Sequence, residues 1–379
     1  MFEYQKSSRY FAQTSNTMQE PAIEELRQLR ARNVKPAFRG IYFESDINGL
    51  MQINYRTRLI SRILAPLIKF KCHSTDYLYR KAKEVAWDQL FSPDETFAIF
   101  ANVSNSKITH SQYAALRVKD AIADYFNEKS GRRPNVEKQE PDVWINVHID
   151  DNFATISLDA SGGSLHRRGY RIETVDAPMQ ETVAAVIIRW SGWDGTQPLF
   201  DPMCGSGTLL AEALMSYCRM PGGYLRQRFG FEWLPEFDAE TWGSIKNRKN
   251  SEIRELPADI ISGSDISYKA VRAAFKNLRQ LPGARNVKIN VLDFHKIERL
   301  ESTIIVCNPP YGIRMGEKEA AKDLLKNFGD FLKQRCTGCE AYIYFGDRSL
   351  IPAIGLRTSF KKPLKNGGLD GRLCKFEIY

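Results

Sequence analysis

Four positions late in the chain, Asn308-Pro309-Pro310-Tyr311, bring hydrogen-bond acceptors and an aromatic ring onto a stiff support. Two consecutive prolines offer no backbone N–H, so a strand ladder cannot continue through them. What remains is the Asn308 side-chain oxygen, the prolyl carbonyls and the Tyr311 ring. Such a set suits a flat molecule carrying an NH2 group, because the oxygens can accept both amine hydrogens while the ring stacks. In isolation an Asn-Pro-Pro tip reads first as a plain turn at a strand end.

A second group stands about a hundred residues earlier, in Asp201-Pro202-Met203-Cys204-Gly205-Ser206-Gly207-Thr208. Gly205 and Gly207 let backbone pass close to a ligand. The third glycine of a dinucleotide fingerprint would fall at position 210, which is Leu210, and the Gly-Lys-Ser/Thr of a phosphate-cradling loop is missing. Asp201 would repel a phosphate and welcome a cation, so a sulfonium ligand with an amino-acid tail fits better than a dinucleotide. Two further acids follow. Asp265, before Ile266, is placed to take a ribose diol; Asp293, beside Phe294, could receive an adenine amino group whose ring the phenyl covers.

These residues need strand ends to hold them. From Pro178 onward the pattern alternates strand and helix: helix 179–190, strand 198–201, helix 208–217, strand 259–262, helix 269–281, strand 287–291, strand 303–306, helix 319–335, strand 341–345. A terminal hairpin turns between Gly367-Gly368 and Gly371. The expected fold is α/β, a Rossmann-like doubly wound domain over 179–379, whose ligand crevice lies at the carboxyl ends of its strands. Residues 218–257, rich in Arg and aromatics, interrupt the alternation and read as an insertion packed over that domain, with a share in a substrate channel as the sharper reading.

The first half reads as α+β. A strand at 10–14, a helix at 18–31 with Thr17 as N-cap and Glu20 completing a capping box, strands at 34–43 and 50–53 and a helix at 58–67 suggest a ferredoxin-like region over 1–60. Helix 77–91, strand 96–103, helix 111–127 and a hairpin of 143–149 with 152–159 follow. Residues 158–178 form a Gly-rich, basic linker. Three basic groups stand out: Lys107 with His110; Arg132 with Arg133; and Arg167, Arg168 and Arg171 around Tyr170. Solvated surface, or plain linker, is the default reading of each, and contact with RNA is the sharper one.

A chain of 379 residues is too long for one core and implies two or three domains. Its net charge is +9, of which +2 falls in residues 1–160 (22 Lys and Arg against 20 Asp and Glu), leaving +7 for the remainder. That excess permits a polyanionic partner without requiring one. Mean hydropathy of −0.40 and the lack of a long apolar run argue against a membrane span. The amino terminus has no secretory h-region, and seven cysteines look like reduced thiols; together they indicate a cytoplasmic protein. Cys336-x-x-Cys339 has no second pair nearby, so no metal is expected.

Four strand ends in sequence order thus carry Asp201, Asp265, Asp293 and Asn308. The ordered set resembles the S-adenosylmethionine-dependent methyltransferases that methylate amines: Asp201-Pro-Met-Cys-Gly-Ser-Gly is similar to their cofactor loop and Asn308-Pro-Pro-Tyr to their target motif. The resemblance covers essentially the full chain. Ile108-Thr109-His110-Ser111, Ser164-Leu165-His166-Arg167-Arg168-Gly169-Tyr170-Arg171, Ala177-Pro178-Met179-Gln180-Glu181-Thr182 and Phe229-Gly230-Phe231-Glu232 are similar to the THUMP-containing RNA guanine-N2 methyltransferases. It implies a THUMP region over about 44–157 that grips RNA, and a cofactor site of Pro178, Asp201, Met203 to Thr208, Asp265, Ile266, Asp293, Phe294 and Asn308. It also implies N2-methylguanine in 23S ribosomal RNA as product, and catalysis by Asn308, Pro309, Pro310 and Tyr311. Some members carry a second methyltransferase domain that a chain of this length lacks room for. The same tip would serve guanine in tRNA or adenine N6 in DNA, and an RNA-binding assembly factor with an idle site is a further alternative.

Overall fold

The computed structural model describes residues 1–174, 179–310 and 317–379. In chain order its helices are α1 (Glu3–Ser7), α2 (Gln19–Gln28), α3 (Ile47–Arg56), α4 (Thr75–Lys83), α5 (Ser111–Ser130), α6 (Glu181–Ser191), α7 (Thr208–Tyr217), α8 (Ala239–Asn250), α9 (Tyr268–Leu278) and α10 (Glu317–Arg335). Its strands are β1 (Arg9–Gln13), β2 (Arg32–Ala37), β3 (Gly40–Glu44), β4 (Arg62–Lys71), β5 (Phe97–Ser104), β6 (Val143–Asp150), β7 (Phe153–Asp159), β8 (Leu199–Asp201), β9 (Ile261–Asp265), β10 (Lys288–Val291), β11 (Ile304–Cys307), β12 (Glu340–Phe345), β13 (Phe360–Pro363) and β14 (Arg372–Glu377). They form two compact units, Met1–Leu165 with Arg226–Arg248, and His166–Leu225 with Lys249–Tyr379.

The first unit is built on one seven-stranded sheet in the order β2-β3-β1-β4-β7-β6-β5. Its opening run β1-α2-β2-β3-α3-β4 has the ferredoxin-like order, with two element types corrected. Residues 50–53 belong to helix α3, not to a strand. Asp46 caps that helix by accepting the Gly49 N–H at 2.7 Å, and Leu50, Met51, Ile53 and Asn54 are buried from it at helical spacing. Residues 62–71 form strand β4 in place of the expected helix, pairing with both β1 and β7. Nor does Thr17 cap α2: it lies in a short 3-10 turn, and Met18 occupies the cap position without a side-chain bond. The strands from 1–60 and from 97–159 therefore share a single ladder system.

Residues 226–248 of the insertion fold with this first unit. Arg226 donates to the carbonyls of Ser161, Gly162 and Ser164 at 2.9 to 3.0 Å. Trp242 sits edge-on to Tyr55, Phe229 and Phe231, with ring centroids 5.1 to 5.6 Å away, and the Trp233 indole N–H reaches the Asp142 carbonyl at 2.9 Å. The aromatic richness of the insertion is thus core for the N-terminal unit.

The second unit holds a sheet ordered β10-β9-β8-β11-β12-β14-β13. Strands β8 to β12 are parallel and β14 enters antiparallel between β12 and β13. Buried parallel strands read as continuous apolar runs, and Ile304, Ile305, Val306 and Cys307 of β11 are at most 2% exposed. Chain order reverses between β8 and β11, the switch point at which open α/β sheets bind ligands.

Candidate active site at the carboxyl ends of β8 to β11

Asp201 ends β8, Asp265 ends β9, Asp293 follows β10 by two residues and Asn308 follows β11 directly. Because β10, β9, β8 and β11 are neighbours in that order, the four side chains predicted from sequence lie along one edge of the sheet. Asp201 is in register with Gly263, and Asp265 with Val291.

The loop after β8 is shaped by its own hydrogen bonds. Asp201 Oδ1 accepts the Met203 N–H at 3.1 Å, Cys204 N–H reaches the Ser264 carbonyl and Gly207 N–H the Cys204 carbonyl, and Asp265 Oδ2 accepts the Gly205 N–H at 3.0 Å. Gly205 and Gly207 have φ of +54° and +81°, in the left-handed region that glycine reaches without strain. Gly207 has a second reason to lack a side chain. A Cβ there would sit 3.0 Å from the Ala274 Cβ, so its bareness also lets α7 pack against α9. Within the loop Cys204, Ser206 and Thr208 are buried, and only Met203 and Gly205 are half-buried. Burial pushes the Cys204 thiol well above its usual range.

Asp201 is 1% exposed. Burial, with the neighbouring Asp265 charge adding to it, drives its carboxyl well above the usual range, against the pull of the Met203 N–H. A buried carboxylate held this way gains most from a cationic ligand. Asn308 shows the complementary anomaly: its Oδ1 is buried and has no hydrogen-bond partner among the described residues. Buried polar atoms in native proteins are nearly always paired, and an exception calls for a functional account. Pro309 is buried and Pro310 exposed. Tyr311 and Pro178 lie outside the described residues.

Ile266 is 72% exposed at the rim, whereas Phe294 is 4% exposed. Phe294 lies against His295 at 4.1 Å and packs on Phe328 and Phe331 at 5.3 and 5.5 Å. Its ring is anchored into the α10 core, a correction to the reading of it as a free cover for a base. Asp293 gives one oxygen to His295, accepting from its backbone N–H at 3.0 Å and pairing with its ring Nδ1 at 2.7 Å. Burial raises the Asp293 carboxyl, but these His295 contacts outweigh it and leave it below its ordinary value.

The cluster 167–171 divides. Arg167 is exposed. Arg168 and Tyr170, expected at an RNA surface, are each 1% exposed and both point to Glu212, itself fully buried, at 3.3 Å. Charges this deep persist only when paired, so these two residues hold the domain together. Arg171 is likewise committed, donating to the Met179 carbonyl at 2.6 Å and Thr208 Oγ1 at 3.1 Å, with Glu181 at 3.1 Å. In the other unit Lys107, His110, Arg132 and Arg133 are all exposed; Arg132 pairs with Asp94 and Arg133 with Asp124.

Asn277 on α9 belongs to no motif in the sequence. It is 1% exposed and uses its whole amide: Nδ2 donates to the carbonyls of Ser206 (3.0 Å) and Glu173 (2.8 Å), while Oδ1 accepts the N–H groups of Ile172 (2.8 Å) and Glu173 (2.9 Å). It ties the loop after β8 to segment 172–173. A lone Asn in the middle of a helical pattern, where it is a poor helix former, was the available signal.

Among the described residues no helix is long and apolar enough to cross a membrane, and no group of three His, Cys, Asp or Glu could hold a metal. Cys336 and Cys339 are buried free thiols.

The chain matches the family described as RMKL-like, methyltransferase domain over residues 168–375, more than half its length, and the THUMP domain over 72–159. It is 38% identical over 371 residues to "Putative RNA methyltransferase slr0064" of Synechocystis, covering 98% of this chain and 97% of that one. It is 36% identical over 377 residues to ribosomal RNA large subunit methyltransferase K/L of Vibrio parahaemolyticus, where it covers 98% of itself but 53%, about half, of that relative's length. Among solved structures, SMU.472, a putative methyltransferase complexed with SAH, superposes with a TM-score of 0.86 at 25% identity over 98% of each chain. Fold and site define a Rossmann-like, S-adenosylmethionine-dependent methyltransferase with a THUMP domain. The chain belongs to the RMKL-like methyltransferase family.

The described residues fit that cofactor. The buried carboxyl of Asp201 suits a cationic sulfonium and amino-acid tail, Asp265 at the next strand end suits a ribose diol, and the half-buried backbone of Gly205 borders the same strand ends.

Proposed function

We propose that this protein transfers a methyl group to the exocyclic N2 amine of a guanine in RNA, with 23S ribosomal RNA as the substrate. The observation that carries the reading is the buried Asn308 Oδ1, without a hydrogen-bond partner among the described residues, beside the switch point of the sheet. The RNA methyltransferase names of its relatives and the THUMP domain support RNA as the substrate class.

S-adenosylmethionine supplies an electrophilic methyl group when bound. The exocyclic amine of guanine is a poor nucleophile because its lone pair is delocalised into the ring. Asn308 Oδ1 accepts one amine N–H and the Pro309 carbonyl the other. Two fixed acceptors draw the nitrogen out of planarity and turn its lone pair toward the crevice, so rate comes from orientation and from dipoles preset before the reaction. Asp201 and Asp265 bind and place the cofactor. Tyr311 stacks on the base once it leaves its helix or loop. Alkylation makes the amine more acidic, so no strong general base is assigned.

Tritium transfer from labelled cofactor to unmodified 23S ribosomal RNA fragments, tRNA and DNA, followed by nucleoside analysis, tests this. N2-methylguanosine in the ribosomal fragments is the expected product. Label confined to DNA, or N6-methyladenine, would contradict it.

A further inference from the structure

Helix α9 begins three residues after Asp265 and carries an exposed stripe unrelated to its packing. Tyr268, Arg272, Phe275 and Arg279 are spaced by four, three and four residues, which puts them on one face. Tyr268 is 70% and Phe275 55% exposed, and both arginines are exposed. Arg279 lies over the Phe275 ring at 5.5 Å. The stripe runs for about 16 Å at 1.5 Å per residue.

Its surroundings are basic. Residues 266–285 contain Lys269, Arg272, Lys276, Arg279 and Arg285 and no Asp or Glu. Glu173 pairs with Lys276 and Glu255 lies 3.9 Å from Arg285, which leaves the two stripe arginines without an ion pair among the described residues. At the foot of the helix an open groove of about 700 Å³ continues the stripe, lined by Arg254, Glu255, Phe275, Arg279, Arg285 and Ile289. Exposed large apolar side chains are otherwise scarce in this unit. Of the six among its described residues, Ile172, Ile266, Tyr268, Phe275 and Val291 lie on or beside α9 and β9–β10, and only the terminal Tyr379 lies elsewhere in the chain.

We propose that the α9 stripe is a track for single-stranded RNA, leading the target strand from the groove up to the strand ends at Asp265. Bases stack on Phe275 and Tyr268, and the interleaved Arg272 and Arg279 neutralise phosphates. Alternating rings and cations fit a nucleic-acid strand, which offers a π-face and a phosphate with each nucleotide. An acidic protein surface would match the charges but leave the two rings without stacking partners. The inference rests on the RNA reading above and adds the surface by which that RNA is held.

The test uses the full chain and a labelled, unstructured oligouridylate. Phe275→Ala should weaken binding roughly ten- to hundredfold, as expected for loss of a base stack. Arg272→Gln with Arg279→Gln should flatten the slope of log affinity against log salt by about 1.4, or ~0.7 per phosphate contact. A 4-thiouridine version should cross-link to Tyr268 or Phe275. SAH affinity by calorimetry should not change in any of these variants. If the wild-type chain binds the RNA while the variants keep its affinity and slope, the track is wrong and the RNA reading stands. Equal displacement of RNA by polyglutamate would overturn the track in favour of an acidic protein partner. A wild-type chain with no affinity for RNA would overturn both.

Discussion

Asp265 Oδ2 accepts the Gly205 N–H at 3.0 Å while its Oδ1 accepts the Ser267 N–H at 2.9 Å, so one carboxylate joins the end of β9, the start of α9 and the loop after β8. A hydrogen bond to a charged acceptor contributes about 1.5–3 kcal/mol. Asp265→Ala should therefore weaken SAH binding at least ten- to hundredfold by calorimetry, with far-UV circular dichroism unchanged. Wild-type affinity in this variant would show that the carboxylate does not organise the loop.

Asp201 sets function against stability. Its folded carboxyl is raised by burial, whereas in the unfolded chain it titrates near 3.9. The folded state thus holds the proton more tightly. Stability from this group is full at acid pH and is lost as pH rises from the ordinary carboxylate range through the raised folded value. Asparagine cannot ionise. The Tm of Asp201→Asn relative to wild type should rise steadily from pH 4 to pH 8, while its SAH affinity falls. A difference that stays flat or shrinks with pH would contradict the burial argument.

Arg168 and Glu212 form a buried ion pair. Removing one partner from such a pair costs on the order of 3–5 kcal/mol. Arg168→Met should lower Tm by on the order of 10 °C, yet bind RNA with the wild-type salt slope at temperatures where it stays folded. A flatter slope would restore Arg168 to the RNA surface.

Asn277→Leu keeps the side chain's branched outline and deletes four hydrogen bonds, leaving the N–H groups of Ile172 and Glu173 and the carbonyls of Glu173 and Ser206 without this partner. Each buried group so orphaned costs about 1–3 kcal/mol. Both Tm and cofactor affinity should fall, while turnover at saturating cofactor is retained. Loss of turnover at saturation would place Asn277 in the chemistry instead of in the positioning of the loop.

The catalytic half was legible because its signals are local. Strand β11 is an apolar run stopped by Asn308-Pro309-Pro310, and the loop 201–207 carries its glycines and acid in one stretch. The N-terminal half misled at residues 50–53 and 58–67, where short apolar runs fit strand and helix alike and only the Asp46 cap and pairing with β1 and β7 decide. Arg168 and Tyr170 look like a surface cluster until a partner 44 residues away in sequence, Glu212, is placed beside Arg168. Asn277 makes its bonds at separations of 71 to 105 residues, beyond any local pattern. The insertion's aromatics were visible, but the unit they fold with was not.

The role of Asn308 is decided by single-turnover methyl transfer in Asn308→Ala, run beside SAH calorimetry. The rate should fall 10²–10³-fold with SAH affinity unchanged and no loss in Tm, since the variant removes a buried acceptor that has no described partner in the fold. A rate near that of wild type would mean that Asn308 does not hold the amine.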